Sequence, residues 1–341
     1  MSAITTNQGD IIHYEKFGRG RPVVLVHTWL GSWRYWIQVV NILSAKYTCY
    51  AIDLYGFGDS AKNERHYTFE HQIALLEDFM TTLGITKAAM IGHGLGAMVV
   101  TEYARRHPEI VPRMMLVSAP LFDPGDLTTR VPVGRSLLSN RPAPAEQFEN
   151  VPNAATLPSA SSAMRAALMA AAKARGGLAP ELEQMAANAA AVSMAPPPVF
   201  NPLRGIFYGQ TGETLLAQCF RRIDERLKDL TVDVPRIDTR VIARMVDTFD
   251  AGRLLDTLRL LTVPILLVHG ADDPLISQPN EDVLHYITVD KEQTLVPLLL
   301  PGVRHFPMLE DDRFAPMVND FLDAPDIGKI APKERWRRRT R

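Results

Sequence analysis

Every second residue from Gly92 to Gly96 is glycine, in the run Ile91-Gly92-His93-Gly94-Leu95-Gly96. A short apolar stretch at 87–91 precedes it, and residues 97–104 follow with helical spacing that ends near Pro108. Glycines so placed let helix and strand approach backbone to backbone, so the run predicts a tight strand-to-helix turn. Such turns belong to α/β folds, in which each strand feeds the helix that covers it. Residues 22–27, 48–52, 114–120, 263–270 and 294–300 fit the same scheme: they are apolar runs of strand length, of the kind buried on both faces of a parallel sheet.

The alternation pauses after residue 120 and resumes near Leu254, leaving an interval of about 130 residues, far more than a crossover needs. It reads as a lid or cap. Its first part is loop-rich, with Pro124, Pro132, Pro142 and Pro144. Residues 162–175 and 182–194 are alanine-rich and helix-favouring, and Pro196-Pro197-Pro198 follows them. Residues 213–230 and 240–250 have the pattern of amphipathic helices. Met164, Met169, Met185 and Met194 fill gaps in cap packing or line an apolar cavity. The expected organisation is a core of residues 1–120 and 251–325, a helical cap at 121–250 and a basic tail at 326–341.

Four motifs in order resemble the α/β-hydrolase superfamily, in particular its capped esterases, epoxide hydrolases and haloalkane dehalogenases. They are the loop His27-Thr28-Trp29, the turn Asp53-Leu54-Tyr55-Gly56-Phe57-Gly58-Asp59-Ser60, the glycine run at 92–96, and Asp273 and His305, which follow the last two strands. The resemblance implies an α/β-hydrolase fold: a mostly parallel central sheet flanked by helices, with a large helical cap insertion. It implies Asp273 as the triad acid and His305 as the triad histidine. The main-chain N–H groups of Trp29 and Leu95 would hold an oxyanion, in a site bordered by His27 and Thr28. The chain departs from the family twice. Gly94 stands at the elbow position where the family carries its nucleophile, and Thr28 stands where glycine usually follows the loop histidine.

Glycine has no group with which to attack, so the covalent route is expected to be lost while the turn survives. Thr28, Ser32 and Ser118 lie on neighbouring loops, and none is expected at the elbow tip to which His305 would point. Three functions remain open. His305, oriented by Asp273, acts as general base on a water or an acidic substrate proton, giving non-covalent hydrolase or lyase chemistry on a small apolar carbonyl or ester compound. Alternatively, the chain is a serine hydrolase whose elbow serine has been replaced, in which case serine at 94 restores turnover. The third function is a non-catalytic ligand-binding pseudo-hydrolase. Dehalogenase chemistry needs an aspartate at the elbow. His93 is expected to pack with its ring turned from the tip, and Asp123 is a fallback acid. Trp29, Trp33, Tyr35 and Trp36 are candidate pocket-lining residues.

A chain of 341 residues, 46% hydrophobic, with a formal net charge of −1, has ample material for a globular core. It contains no apolar run long enough to cross a bilayer, and its N-terminus lacks a secretory pattern, so a cytoplasmic location without stable membrane insertion is expected. Cys49 and Cys219 read as reduced core residues. No zinc-ligand spacing and no Gly-x-Gly-x-x-Gly fingerprint occurs, so no metal and no cofactor are expected. The expected partner is a small apolar substrate or ligand. No nucleic-acid partner is expected, and a homodimer is left open. Between Lys329 and Arg341, seven basic residues face the single acid Glu334, a charge pattern read as a solvated extension or a strap onto the protein's own acidic surface.

Overall fold

A computed structural model describes residues 2–130, 201–222, 225–289, 291 and 294–329. The helices expected at 162–175 and 182–194, the four cap methionines, the prolines at 132, 142, 144 and 196–198, and the tail from residue 330 lie outside the described residues.

Eight strands make one sheet: β1 (Ser2–Thr5), β2 (Ile11–Phe17), β3 (Arg21–Val26), β4 (Tyr47–Ile52), β5 (Ala89–His93), β6 (Met114–Val117), β7 (Ile265–Gly270) and β8 (Leu295–Leu300). Their spatial order is β1-β2-β4-β3-β5-β6-β7-β8. The β1/β2 and β2/β4 pairs are antiparallel, and every other pair is parallel. Burial explains the sequence pattern. Val23 to Val26 and the whole of β4, β6 and β7 are buried, as continuous apolar runs covered on both faces must be. Among the described residues β8 pairs only with β7, and it mixes buried with exposed residues. An edge strand tolerates a residue with no N–H to give, and Pro297 sits there.

Among the helices, α1 (Ile37–Leu43), α2 (Phe69–Thr82) and α3 (Leu95–Arg106) follow β3, β4 and β5. Thr68 caps α2, its hydroxyl accepting from the His71 amide, with Glu70 in the first turn. Beyond the undescribed interval come α4 (Leu203–Phe207), α5 (Gly212–Cys219), α6 (Lys228–Asp233), α7 (Thr239–Asp247) and α8 (Ala251–Leu260). The chain closes with α9 (Glu281–Thr288), α10 (Pro307–Glu310) and α11 (Phe314–Asp323). Helix α1 packs against α11, and α2, α3, α8 and α9 pack in succession.

The amphipathic pattern at 213–230 is not one helix. It breaks after Cys219, where Phe220 turns extended and stacks on Phe306 with ring centroids 5.2 Å apart. An aromatic contact with the loop after β8 outweighs the propensity to continue the helix. The hairpin β1–β2 also escapes a search for apolar runs, because Ile11–Phe17 mixes His13, Glu15 and Lys16 with its buried residues. Cys49 and Cys219 are both buried and free.

Candidate active site

The parallel strands end together, and their carboxyl ends carry the residues singled out above. Val26 of β3 is level with Gly92 of β5, so the residues two positions beyond each, Thr28 and Gly94, emerge side by side. Gly270 of β7 is level with Leu300 of β8, and the loops that follow them bring Asp273 to His305. His305 is fully buried and donates from Nδ1 to Asp273 Oδ2 at 2.8 Å. The other carboxylate oxygen of Asp273 accepts from the Leu275 and Ile276 amides at 2.9 and 3.0 Å. Burial alone would raise this carboxyl, but the His305 ring and these donors hold it well below the usual carboxylate range.

Gly94 occupies the turn between β5 and α3 with φ +51° and ψ −107°, a conformation in the left-handed half of backbone space that glycine adopts freely. The flanking glycines are there for closeness. A Cβ on Gly92 would lie 2.5 Å from the Gly96 carbonyl oxygen, and one on Gly96 2.3 Å from that of Val26. Leu95 opens α3, so its N–H has no acceptor within the helix.

The space in front of Gly94 is taken. A Cβ built on that residue would meet Thr28 Oγ1 at 2.1 Å, Trp29 Nε1 at 3.0 Å and Thr28 Cβ at 3.1 Å. The Thr28 hydroxyl lies 3.3 Å from His305 Nε2. This corrects the expectation that no neighbouring hydroxyl reaches the elbow tip. The β3–β5 register is the reason: adjacent parallel strands ending level place residues 28 and 94 against each other, a pairing that the linear sequence does not show. Ser32 is turned elsewhere, donating to Asp233 and accepting from the Arg34 amide. Asp123 accepts from the Gly125 amide and from Asn280 Nδ2, so the carboxylate at His305 is that of Asp273.

A chain of hydrogen bonds fixes the loop bearing Thr28 to the loop bearing His305. The Thr28 N–H donates to Tyr35 Oη at 2.8 Å, the Tyr35 hydroxyl donates to His93 Nδ1 at 3.1 Å, and His93 Nε2 donates to the His305 carbonyl at 2.8 Å. Each donor finds one acceptor only if His93 is neutral and Tyr35 protonated. Burial enforces both states, pushing the His93 imidazole well below its ordinary value, with the neighbouring His305 ring acting in the same direction, and the Tyr35 phenol well above its own. His93 is packed, as expected, but it also anchors the His305 loop. His27 holds the first loop from below: Nδ1 donates to the Thr28 carbonyl at 2.7 Å, and Nε2 accepts from the Leu54 amide at 3.0 Å. Both its ring nitrogens are engaged by main chain. Glu310 bridges the amides of Arg304 and Phe306, each at 3.2 Å, and so clamps His305 from both sides. Neither Tyr35 nor Glu310 stands in a motif that would assign it this work.

Helices α4 to α7 pack at this end of the sheet. Phe207 lies against Trp29 with ring centroids 4.9 Å apart, Leu230 closes on Gly31, and Asp233 is buried against Ser32 and Arg34. Burying an aromatic or leucine side chain contributes about 1.5–3 kcal/mol, so these contacts hold the segment down firmly. Trp29 is fully buried, and its indole Nε1 has no hydrogen-bond partner among the described residues.

Among the described residues the cluster with metal-ligand spacing is His13, Asp53 and Asp59. Its atoms are already occupied. Asp53 accepts from the Trp33 and Asp59 amides and from His13 Nδ1, and Asp59 pairs with Arg34 and Arg236. No helix of the described residues is long and apolar enough to cross a membrane.

A family model described as alpha/beta hydrolase fold matches residues 21–287. The chain belongs to the α/β-hydrolase family. Among similar members, a soluble epoxide hydrolase from Corynebacterium sp. (strain C12) is 32% identical over 109 residues, 32% of this chain and 38% of that protein. The 2-hydroxy-6-oxo-6-(2'-aminophenyl)hexa-2,4-dienoic acid hydrolase of Metapseudomonas resinovorans is 30% identical over 121 residues, 33% of this chain and 41% of that protein. The matched stretch thus spans less than half the length of either relative. An esterase from Rhodococcus sp. ECU1013 superposes with a TM-score of 0.61 and 21% identity, covering 95% of this chain and 99% of that one, a likeness of α/β-hydrolase fold.

Proposed function

We propose that this α/β-hydrolase cleaves a small apolar ester or carbonyl compound using His305 as general base, oriented by Asp273, without a covalent bond to residue 94. The observation that carries this reading is the pair of contacts on one buried imidazole. Its Nδ1 is committed to a carboxylate, and its Nε2 lies 3.3 Å from the Thr28 hydroxyl, on the loop that borders the proposed substrate site. The N–H groups of Leu95 and Trp29 are the proposed oxyanion donors, with His27 holding the loop that aims the second. Residues 121–250 are the proposed cap. The esterase and hydrolase names of the relatives suggest the substrate class.

Replacement of an elbow serine accounts less well for the site, because a side chain returned to residue 94 would collide with Thr28. The test is turnover of p-nitrophenyl esters of short and medium acyl chains by the full chain and by His305→Ala. General-base catalysis contributes about 10²–10⁴-fold, and a loss of that size is expected. Equal turnover by the two proteins would overturn the reading and leave a ligand-binding role.

A further inference from the structure

Residues 28 and 94 share one seat between β3 and β5, and this chain fills it from the side opposite to the elbow. The oxygen in that seat is Thr28 Oγ1, 2.1 Å from where a Cβ on Gly94 would begin and 3.3 Å from His305 Nε2. With Nδ1–H committed to Asp273, Nε2 is the acceptor, and the threonine hydroxyl is its donor. The loop is held for that purpose. The Thr28 N–H is bound by Tyr35 and its carbonyl by His27, and a β-branched side chain on a fixed backbone has little rotamer freedom. Beside the same seat lies Trp29 Nε1, a buried donor with no partner among the described residues, 3.0 Å from that Cβ point. A buried N–H left unpaired is costly unless an acceptor arrives, and an oxyanion formed beside Thr28 would be one.

From this we infer that Thr28 is the nucleophile of the site, completing a Thr28–His305–Asp273 triad whose hydroxyl comes from the loop after β3 rather than from the elbow. The inference rests on the reading of His305 and Asp273 as a working dyad. The substrate class is carboxylic esters. As Oγ1 bonds to the ester carbonyl carbon, its proton passes to His305 Nε2, and the oxyanion is met by the indole N–H and the main-chain donors. The carbon–oxygen bond to the alcohol then breaks, and the alcohol leaves with the proton from Nε2. Water attacks the acyl-threonine, His305 takes its proton, the acid departs, and that proton returns to Oγ1.

The experiment is incubation of the full chain with diethyl p-nitrophenyl phosphate, followed by intact-mass measurement and peptide mapping. Attack by Oγ1 on phosphorus expels p-nitrophenolate and leaves one diethylphosphoryl group. The expected result is one adduct per chain on the peptide containing Thr28, kept in Thr28→Ser and absent in the near-isosteric Thr28→Val. Thr28→Val is also expected to lose ester turnover by about 100-fold or more. Mapping on the unmodified chain does not depend on how any variant folds. An adduct on another residue, or no adduct, overturns the inference. If turnover then still collapses in His305→Ala, the dyad stands without Thr28, and if it does not, both readings fall.

Discussion

Serine at residue 94 would be the simple repair of the elbow, and the packing of the turn opposes it. The new Cβ would sit 2.1 Å from Thr28 Oγ1 and 3.1 Å from Thr28 Cβ, where non-bonded carbons rest at about 3.5–4.0 Å. Thr28 cannot swing aside easily, because Tyr35 and His27 hold its backbone on both sides. Forcing a group into a filled site costs about 1–3 kcal/mol. The left-handed conformation of Gly94 adds about 1–3 kcal/mol for any residue with a side chain. Gly94→Ser is therefore expected to lower the unfolding free energy by about 2–6 kcal/mol. Thr28→Gly removes the packing part but not the backbone part. In the double variant the two changes should couple favourably by about 1–3 kcal/mol. Urea unfolding of the parent, both single variants and the double variant closes the cycle. Additivity within about 0.5 kcal/mol, or a Gly94→Ser protein as stable as the parent, would refute the shared seat.

Acid should destabilise the fold through its buried histidines. Burial lowers the His27 and His93 imidazoles below the ordinary value of 6.5. Below that pH the unfolded chain takes up protons that the folded chain refuses, so stability present at neutral pH is lost as pH falls. Chemical denaturation should therefore show stability falling as pH is lowered from 6.5 to 5.5. Stability flat or rising over that interval would contradict the buried, neutral assignment. Burial also pushes the Cys49 thiol up to about 12 and the Cys219 thiol well above its usual value. Iodoacetamide at pH 8 should leave both unmodified in the native protein and alkylate both after unfolding, and rapid native labelling of either would argue against its core position.

The parallel part of the sheet was legible because strands buried on both faces must be mainly apolar, as Val23 to Val26 of β3 and the buried strands β4, β6 and β7 are. Strand β2 was not, because it carries Glu15 and Lys16 beside buried residues. The break after Cys219 was hidden because the contact that ends the helix, Phe220 on Phe306, joins segments far apart in sequence. Asp273 and His305 could be named because each follows a strand at a readable distance, and the structure joins them through a 2.8 Å hydrogen bond. Thr28 could not be named the same way. Its departure from glycine and the loss of a side chain at 94 look like two separate anomalies along the chain. They become one fact only when β3 and β5 lie side by side with Val26 level with Gly92.

Ester turnover by the Thr28→Gly, Gly94→Ser double variant bears most directly on the claim that one hydroxyl, facing His305, does the work of the site. Moving that hydroxyl from one side of the seat to the other should keep turnover within about tenfold of the parent, while Thr28→Gly alone loses about 100-fold or more. Parent-like turnover in Thr28→Gly alone would contradict it.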